Sequence, residues 1–239
     1  MDWVDLISRK RVQDFATESP HRSAFQRDFD RIVFSAAFRR LQDKTQVHSF
    51  PESDYIRRRL THSLEVSCVG RSLGTAAGDY VVGNDPSIGK SFPDFPHILG
   101  QIVANACLAH DIGNPPFGHA GEQAIGSWFK DCLPTALASE LSAEQRSDLD
   151  SFEGNAQGFR LLTRLQEGRD TGGLRLTYAT LATFTKYPTS SSNVSPSEYV
   201  GAKKHGFFAD DTETFINIAT LTGLIKYEKG WRRHPSVSS

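Results

Sequence analysis

Residues 108–122 read LAHDIGNPPFGHAGE and place His110, Asp111, His119 and Glu122 around a forced turn. The apolar run stops at His110 and Asp111, and Gly113, Pro115 and Pro116 then prevent the helix from continuing. His110 and Asp111 offer an imidazole nitrogen and a carboxylate oxygen side by side, a donor pair suited to a divalent transition metal such as Mn²⁺ or Fe²⁺. Three residues separate His119 from Glu122, so at a helix start the carboxylate can reach the ring, fix its tautomer and raise its basicity. That is the arrangement of an oriented general acid or base. A plainer alternative stands beside it, a helix start with an acidic residue in its first turn.

Two helices must bring other groups to this turn. From about Tyr55 to Ala77, the positions Arg59, His62, Val66, Val69 and Leu73 recur at the spacing of one helical face, which predicts an inward stripe carrying His62. Arg59, one turn earlier, presents a fork of donors that matches a phosphate oxyanion. A second helix, from about His97 to Asp111, aligns Leu99, Val103, Ala106 and His110. Taken singly, His62 or His110 also fits a hydrogen-bonded core histidine, whereas burying both with Asp111 and no partner is costly. A third helix begins near Gly118, with Glu122, Ile125 and Phe129 on one side. Further helices are predicted over Ser151–Leu165, TYATLATF and Asp211–Lys226, no strand pair is evident, and the Gly, Ser and Pro-rich stretches GDYVVGNDPSIGKSFPDFP and TSSSNVSPSEYVGAKKHG read as loops. The fold class is therefore all-α.

Composition narrows the function classes. With 239 residues, 38% of them apolar, the chain is sized for one domain with a sizeable core. Its net charge of −1 gives no global attraction to nucleic acid or anionic lipid, although Arg27, Arg31, Arg39, Arg40, Arg57, Arg58 and Arg59 make one region locally basic. MDWVDLISRK lacks the features of a signal peptide, and no run approaches the ~20 apolar residues that span a bilayer, so a cytoplasmic protein without a membrane partner is expected. Cys68, Cys107 and Cys132 lack metal-binding or redox spacing and read as reduced core residues. GNDPSIGKS has five residues between Gly83 and Gly89 where a phosphate-binding loop needs four, and no strand precedes it. Asn193-Val194-Ser195 fits a glycosylation sequon that a cytoplasmic chain never presents to the enzyme.

RDFDRIVFSAAFRRLQDKTQVH, RRRLTHSLEVSCVGRSLG, ACLAHDIGNPPFGHAGEQAI and FEGNAQGFRLL, in that order, resemble the deoxyguanosinetriphosphate triphosphohydrolases of the HD-domain superfamily, over most of residues 20–230. The resemblance implies one HD-type helical domain over residues 1–239. It also implies hydrolysis of a deoxynucleoside triphosphate, dGTP first, to the deoxynucleoside and inorganic triphosphate. By motif it makes His62, His110 and Asp111 metal ligands for Mg²⁺ or Mn²⁺, with Fe²⁺ as the alternative, His119 the catalytic histidine and Glu122 the acid that orients it. Gln46 of KTQVH, Arg59, Asn155 of FEGNAQ, and Lys186 with Tyr187 of TKYP correspond to substrate-pocket positions. Relatives are typically homo-oligomers, and some bind single-stranded DNA.

The family's fourth metal ligand, an aspartate in an E-A-x-D-D-I-x-Y segment, has no counterpart before Ser239. Asp210 and Asp211 of FFADDTETF look similar, but Asp210 followed by Glu213 reads as a capping box. The sequence thus reads as C-terminally truncated, with three of four ligands and weakened activity expected. The alternative is a silent remnant that binds nucleotide or single-stranded DNA, or joins an intact homologue.

Overall fold

The computed structural model describes residues 3–11, 21–44, 46, 58–165, 172–196, 200–227 and 230–232. The described helices are α1 (Trp3–Leu6), α2 (Ala24–Phe34), α3 (Ala36–Arg39), α4 (Arg59–Asn84), α5 (Pro86–Ser91) and α6 (Phe95–Ala109). They continue with α7 (His119–Cys132), α8 (Thr135–Glu140), α9 (Ala143–Asp150), α10 (Gly154–Arg160), α11 (Tyr178–Phe184) and α12 (Thr212–Leu221). A small antiparallel hairpin, β1 (Ile225–Tyr227) with β2 (Gly230–Arg232), pairs Lys226 with Trp231. The fold is all-α apart from this hairpin, which the sequence reading missed because three-residue strands carry almost no periodicity. No described helix is long and apolar enough to cross a membrane.

Local chemistry sets the boundaries. Ser23 and Gln26 form a reciprocal capping box that starts α2. Asp85 caps α5, with Pro86 in its first turn, so the stretch expected to be a loop after Ala77 is instead seven further residues of α4 and then a short helix. The fourth predicted long helix is α10 followed by one π-turn over Leu161–Leu165, and the last ends at Leu221, ahead of β1. Asp210 is not the cap of α12. It lies in a 3₁₀ turn with Asp211, which accepts from Arg160 Nε at 2.8 Å.

The centre of the molecule is the antiparallel pair α4 and α6. The face of α4 that is buried carries Ser63, Ser67, Gly70, Gly74 and Gly78, not the stripe read from the sequence; Val69 is 59% exposed and Leu73 65%. A Cβ on Gly74 would lie 3.0 Å from Gly100 Cα, and one on Gly78 only 2.5 Å from Pro96 Cα, so main chain approaches main chain here. The Ser67 hydroxyl donates to the Ala104 carbonyl at 2.9 Å across the same seam. Cys68 and Cys132 are exposed and Cys107 is half-buried, so the cysteines are free but two of them are not in the core. Around this pair, one apolar cluster holds Ile32, Leu41, Leu108, Ile112, Phe159, Leu176 and Phe215, and a smaller one holds Ile7, Phe25, Phe95 and Ile102.

A buried ionic lock ties the N-terminal segment to α2 and α11. The Asp28 carboxylate, fully buried, accepts from Arg11 Nη1 at 2.5 Å, from the Thr177 amide at 3.0 Å and from the Thr177 and Thr180 hydroxyls at 2.7 and 2.8 Å.

The two stripes of α4 differ in a measurable way. Gly78→Val should cost about 1–3 kcal/mol, because the seam cannot open without moving the Pro96 backbone. Leu73→Gln, on the exposed stripe, should stay within about 0.5 kcal/mol in the same urea titration.

Candidate active site

Antiparallel packing brings the start of α4 to the end of α6, and four side chains meet there. One ligand atom from each of His62, His110 and Asp111 lies within 4.8 Å of the others. The His62 and His110 rings meet edge to face with centroids 5.2 Å apart. His110 Nδ1 donates to the Cys107 carbonyl at 2.7 Å, since a carbonyl only accepts. Its Nε2 faces Asp111 Oδ1 at 3.4 Å, and in the neutral ring carries the lone pair that a metal would take. Burial, then the neighbouring His110, lowers the His62 pKa below the usual imidazole value, which favours the neutral ring that a metal requires.

Asp111 is buried, yet among the described residues its Oδ2 accepts no hydrogen bond; Arg59 Nη1 stands 2.9 Å away as an ion-pair partner without hydrogen-bond alignment. Its Oδ1 accepts from Asn114 Nδ2 at 2.6 Å. A buried carboxylate oxygen without an aligned donor, beside two imidazole rings, fits a divalent cation, and a His–His–Asp donor set suits one of borderline character. Carbonyl-anchored His110 and amide-anchored Asp111 have the outer support typical of such ligands.

The turn carrying His110 and Asp111 is held from two sides. Ile112 points into the main apolar cluster. Gly113 lies so close to α10 that a Cβ would come within 2.1 Å of the Gly154 carbonyl oxygen and the Gly158 nitrogen. Lys44 Nζ closes the far side on the Asn114 carbonyl at 2.6 Å, and burial pulls its ammonium pKa down. Phe117 and Gly118, both at positive φ, then redirect the chain into α7.

At the first turn of α7, His119 Nδ1 lies 2.7 Å from Glu122 Oε2, while Glu122 Oε1 accepts the Gly154 amide at 2.9 Å. Glu122 is buried and the His119 ring is largely exposed, so the acid is fixed and the imidazole's other edge is free. Gly118 caps α7 without any side-chain bond, so neither residue serves as a cap. Lys204 Nζ sits 2.8 Å from Glu153 Oε2 and 4.0 Å from Glu122 Oε2. Burial alone would lower its pKa, but the bond to Glu153 and the charges of Glu153 and Glu122 outweigh that and raise it. A cavity of about 520 Å³ opens here, lined by His119, Glu122, Lys130, Asp150 and Lys204 among others.

Of the remaining sequence candidates, Asn155 donates to Glu153 at 2.6 Å and so joins the Lys204 group, and buried Tyr187 lies near enough to Lys204 to influence its charge. Lys186 is exposed, with its ammonium 5.4 Å from the Tyr187 ring centre. Gln46 is half-buried and makes no hydrogen bond to the site among the described residues; Arg57 and residues 45, 47 and 48 of the KTQVH stretch lie outside them. Sequence reasoning missed Asn114, Glu153, Lys44 and Lys204. The first three sit inside quoted motifs, whereas Lys204 lies in a loop with no spacing to mark it.

A model of the HD domain matches residues 59–154, running from Arg59 to Gly154 and so containing both clusters. Relatives named deoxyguanosinetriphosphate triphosphohydrolase-like protein align over nearly the whole chain. The one from Pseudomonas aeruginosa LESB58 is 47% identical over 99% of this chain and 53% of its own length. Those from Synechocystis PCC 6803 and Listeria monocytogenes EGD-e are 46% and 42% identical over 98% of this chain, and 55% and 51% of theirs. This chain belongs to that HD-domain family. It spans about half the length of the curated relatives it matches.

Two outcomes follow from the geometry. Asp111→Ala should weaken Mn²⁺ binding in calorimetry at least about tenfold, whereas Glu122→Gln, in the neighbouring cluster, leaves it within about twofold. His205, 3% exposed with Nε2 unpartnered and packed near Phe208, is pushed down to about 4 by burial; Lys204 adds to this, while Glu153 opposes it. Between the ordinary value of 6.5 and about 4, the unfolded chain binds a proton that the folded one refuses, so stability is lost as pH falls through that window. The loss should reach the order of 3 kcal/mol, and His205→Phe should flatten the slope of urea stability against pH.

Proposed function

We propose that this chain hydrolyses a deoxynucleoside triphosphate, dGTP first, to the deoxynucleoside and inorganic triphosphate, as a metal-dependent phosphohydrolase. The observation that carries this reading is the pairing of a three-donor His62–His110–Asp111 cluster with a separately oriented imidazole, His119, joined through the turn that bears both. The names of the aligned relatives support the substrate class. We take residues 1–239 as one HD-type phosphohydrolase unit.

In this reading His62, His110 and Asp111 would hold a divalent cation, Mg²⁺ or Mn²⁺ with Fe²⁺ as the alternative. When bound it supplies Lewis acidity towards phosphoryl oxygens and a more acidic water. Arg59, already beside Asp111, offers its guanidinium to the α-phosphate and neutralises charge that grows on its oxygens during attack. His119 carries a proton on Nε2 to the departing 5′ oxygen of the nucleoside, which leaves poorly as an alkoxide. Glu122 receives the Nδ1–H of His119 and balances the imidazolium, and the Gly154 amide keeps that carboxylate in place. Asn155, Lys186, Tyr187 and Gln46 belong to the substrate pocket in this reading. Self-association and binding to single-stranded DNA rest on the family resemblance, and a cytoplasmic location rests on the N-terminal sequence and the lack of a membrane-length apolar run.

Incubation of the purified chain with dGTP and Mn²⁺ should release deoxyguanosine and intact triphosphate, resolved by anion-exchange chromatography. His119→Ala should lower kcat by about 10²–10⁴ with Mn²⁺ binding retained. Release of pyrophosphate or single phosphates in place of triphosphate would overturn the reaction class, and turnover that survives both His110→Ala and Asp111→Ala would overturn the site.

A further inference from the structure

A second cavity, of about 410 Å³, lies between α2, α4 and α6, away from both clusters described above. Each helix presents one face to it: Phe25 and Phe29 from α2, Arg71 and Thr75 from α4, and His97, Gln101 and Asn105 from α6. Arg71 is nine residues beyond His62 on the same helix, so about 13 Å separates them along its axis. No residue lining the cavity takes part in the His62–His110–Asp111 or His119–Glu122 contacts.

The lining is chemically sorted. Phe25, 1% exposed, and half-buried Phe29 supply an aromatic wall. The side chains of Arg71 and His97 are exposed and make no hydrogen bond or ion pair among the described residues, although they come from different helices and border one cavity. The carboxylate there, Asp30, is paired with Arg22, which removes its repulsion of an anion. Gln101 accepts the Ser23 hydroxyl on Oε1 at 2.9 Å, so its amide N–H groups remain to donate. Asn105, 1% exposed, donates from Nδ2 to the Phe25 carbonyl at 2.9 Å, so its Oδ1 remains to accept. An aromatic wall, a donor, an acceptor and two unpaired basic side chains are the complement of a flat heterocycle bearing a phosphate. The volume suits a small organic ligand.

We infer that this cavity is a second binding site, for a nucleoside monophosphate, with the phosphate on Arg71 and His97 and the base against Phe29 beside Gln101 and Asn105. The site is independent of the proposed reaction. The probe is AMP, a ribonucleotide outside the proposed substrate class, titrated calorimetrically into the full chain in EDTA so that no metal recruits its phosphate elsewhere. Saturable binding is expected, with affinity reduced at least about tenfold by Arg71→Ala and by His97→Ala, and unchanged by His119→Ala. Both test residues are exposed, and unchanged thermal melting of their variants confirms that the fold is kept. No binding, or binding indifferent to Arg71→Ala and His97→Ala, overturns the site. Inorganic phosphate that binds as tightly as AMP overturns the assignment to a nucleotide and leaves only an anion site.

Discussion

The backbone of α4 rests against the backbone of α6 along a seam of Ser63, Ser67, Gly70, Gly74 and Gly78, and the positions of the candidate site's side chains follow from that approach. Larger residues on this face would hold the helices apart, because a Cβ at Gly78 already reaches the Pro96 main chain. The pair is antiparallel, so the first turn of α4 lies beside the last turn of α6. His62 and Arg59 then face His110 and Asp111 without any flexible loop between them. Rigid elements of this kind hold donor atoms to the tolerance that catalysis and metal binding require.

A second close approach performs the same service for the imidazole. Gly113 and the start of α10 touch through main-chain atoms, and the Gly154 amide that emerges from this contact binds Glu122. Because Asn114 from the same turn holds Asp111, a displacement of α10 would be felt by both clusters. The two groups of side chains are therefore positioned by one packed joint, with Ile112 as its apolar anchor.

Much of this was legible in the sequence, for identifiable reasons. His110, Asp111, His119 and Glu122 sit within one turn whose prolines and glycines restrict the backbone, so their proximity was local information. The convergence of His62 with them was anticipated from the wrong face. Val66, Val69 and Leu73 repeat as an apolar stripe and invite burial, yet the helix turns its small residues inward, since close main-chain contact and the Ser67 hydrogen bond favour that face. His62 is half-buried at the margin of that seam, which is why it reaches His110 and Asp111 even though the stripe does not face inward. The contribution of Lys204 depends on a loop folding back over α7 and α10, and no periodicity encodes such a contact. Asp210 failed as a cap because Arg160 and Arg164 draw the Asp210–Asp211 pair into an ionic cluster that the local motif does not reveal.

Two buried aspartates differ in how fully the protein itself satisfies them. Asp28 is enclosed by Arg11, two threonine hydroxyls and a main-chain amide, so its charge is fully answered within the protein. Such a network fixes the N-terminal segment, and loss of one partner would leave an uncompensated charge in the interior. Asp111 is buried to a similar degree, but one of its oxygens has only a misaligned guanidinium nearby. A buried carboxylate oxygen without an aligned donor costs a folded chain about 1–3 kcal/mol, and its place beside two imidazole rings is what would suit a cation supplied from outside. Arg59 cannot answer Asp111 and a phosphate with full strength at once. Its poor alignment on Asp111 therefore leaves its donors available, and the same imperfection that exposes the carboxylate keeps the guanidinium free to act.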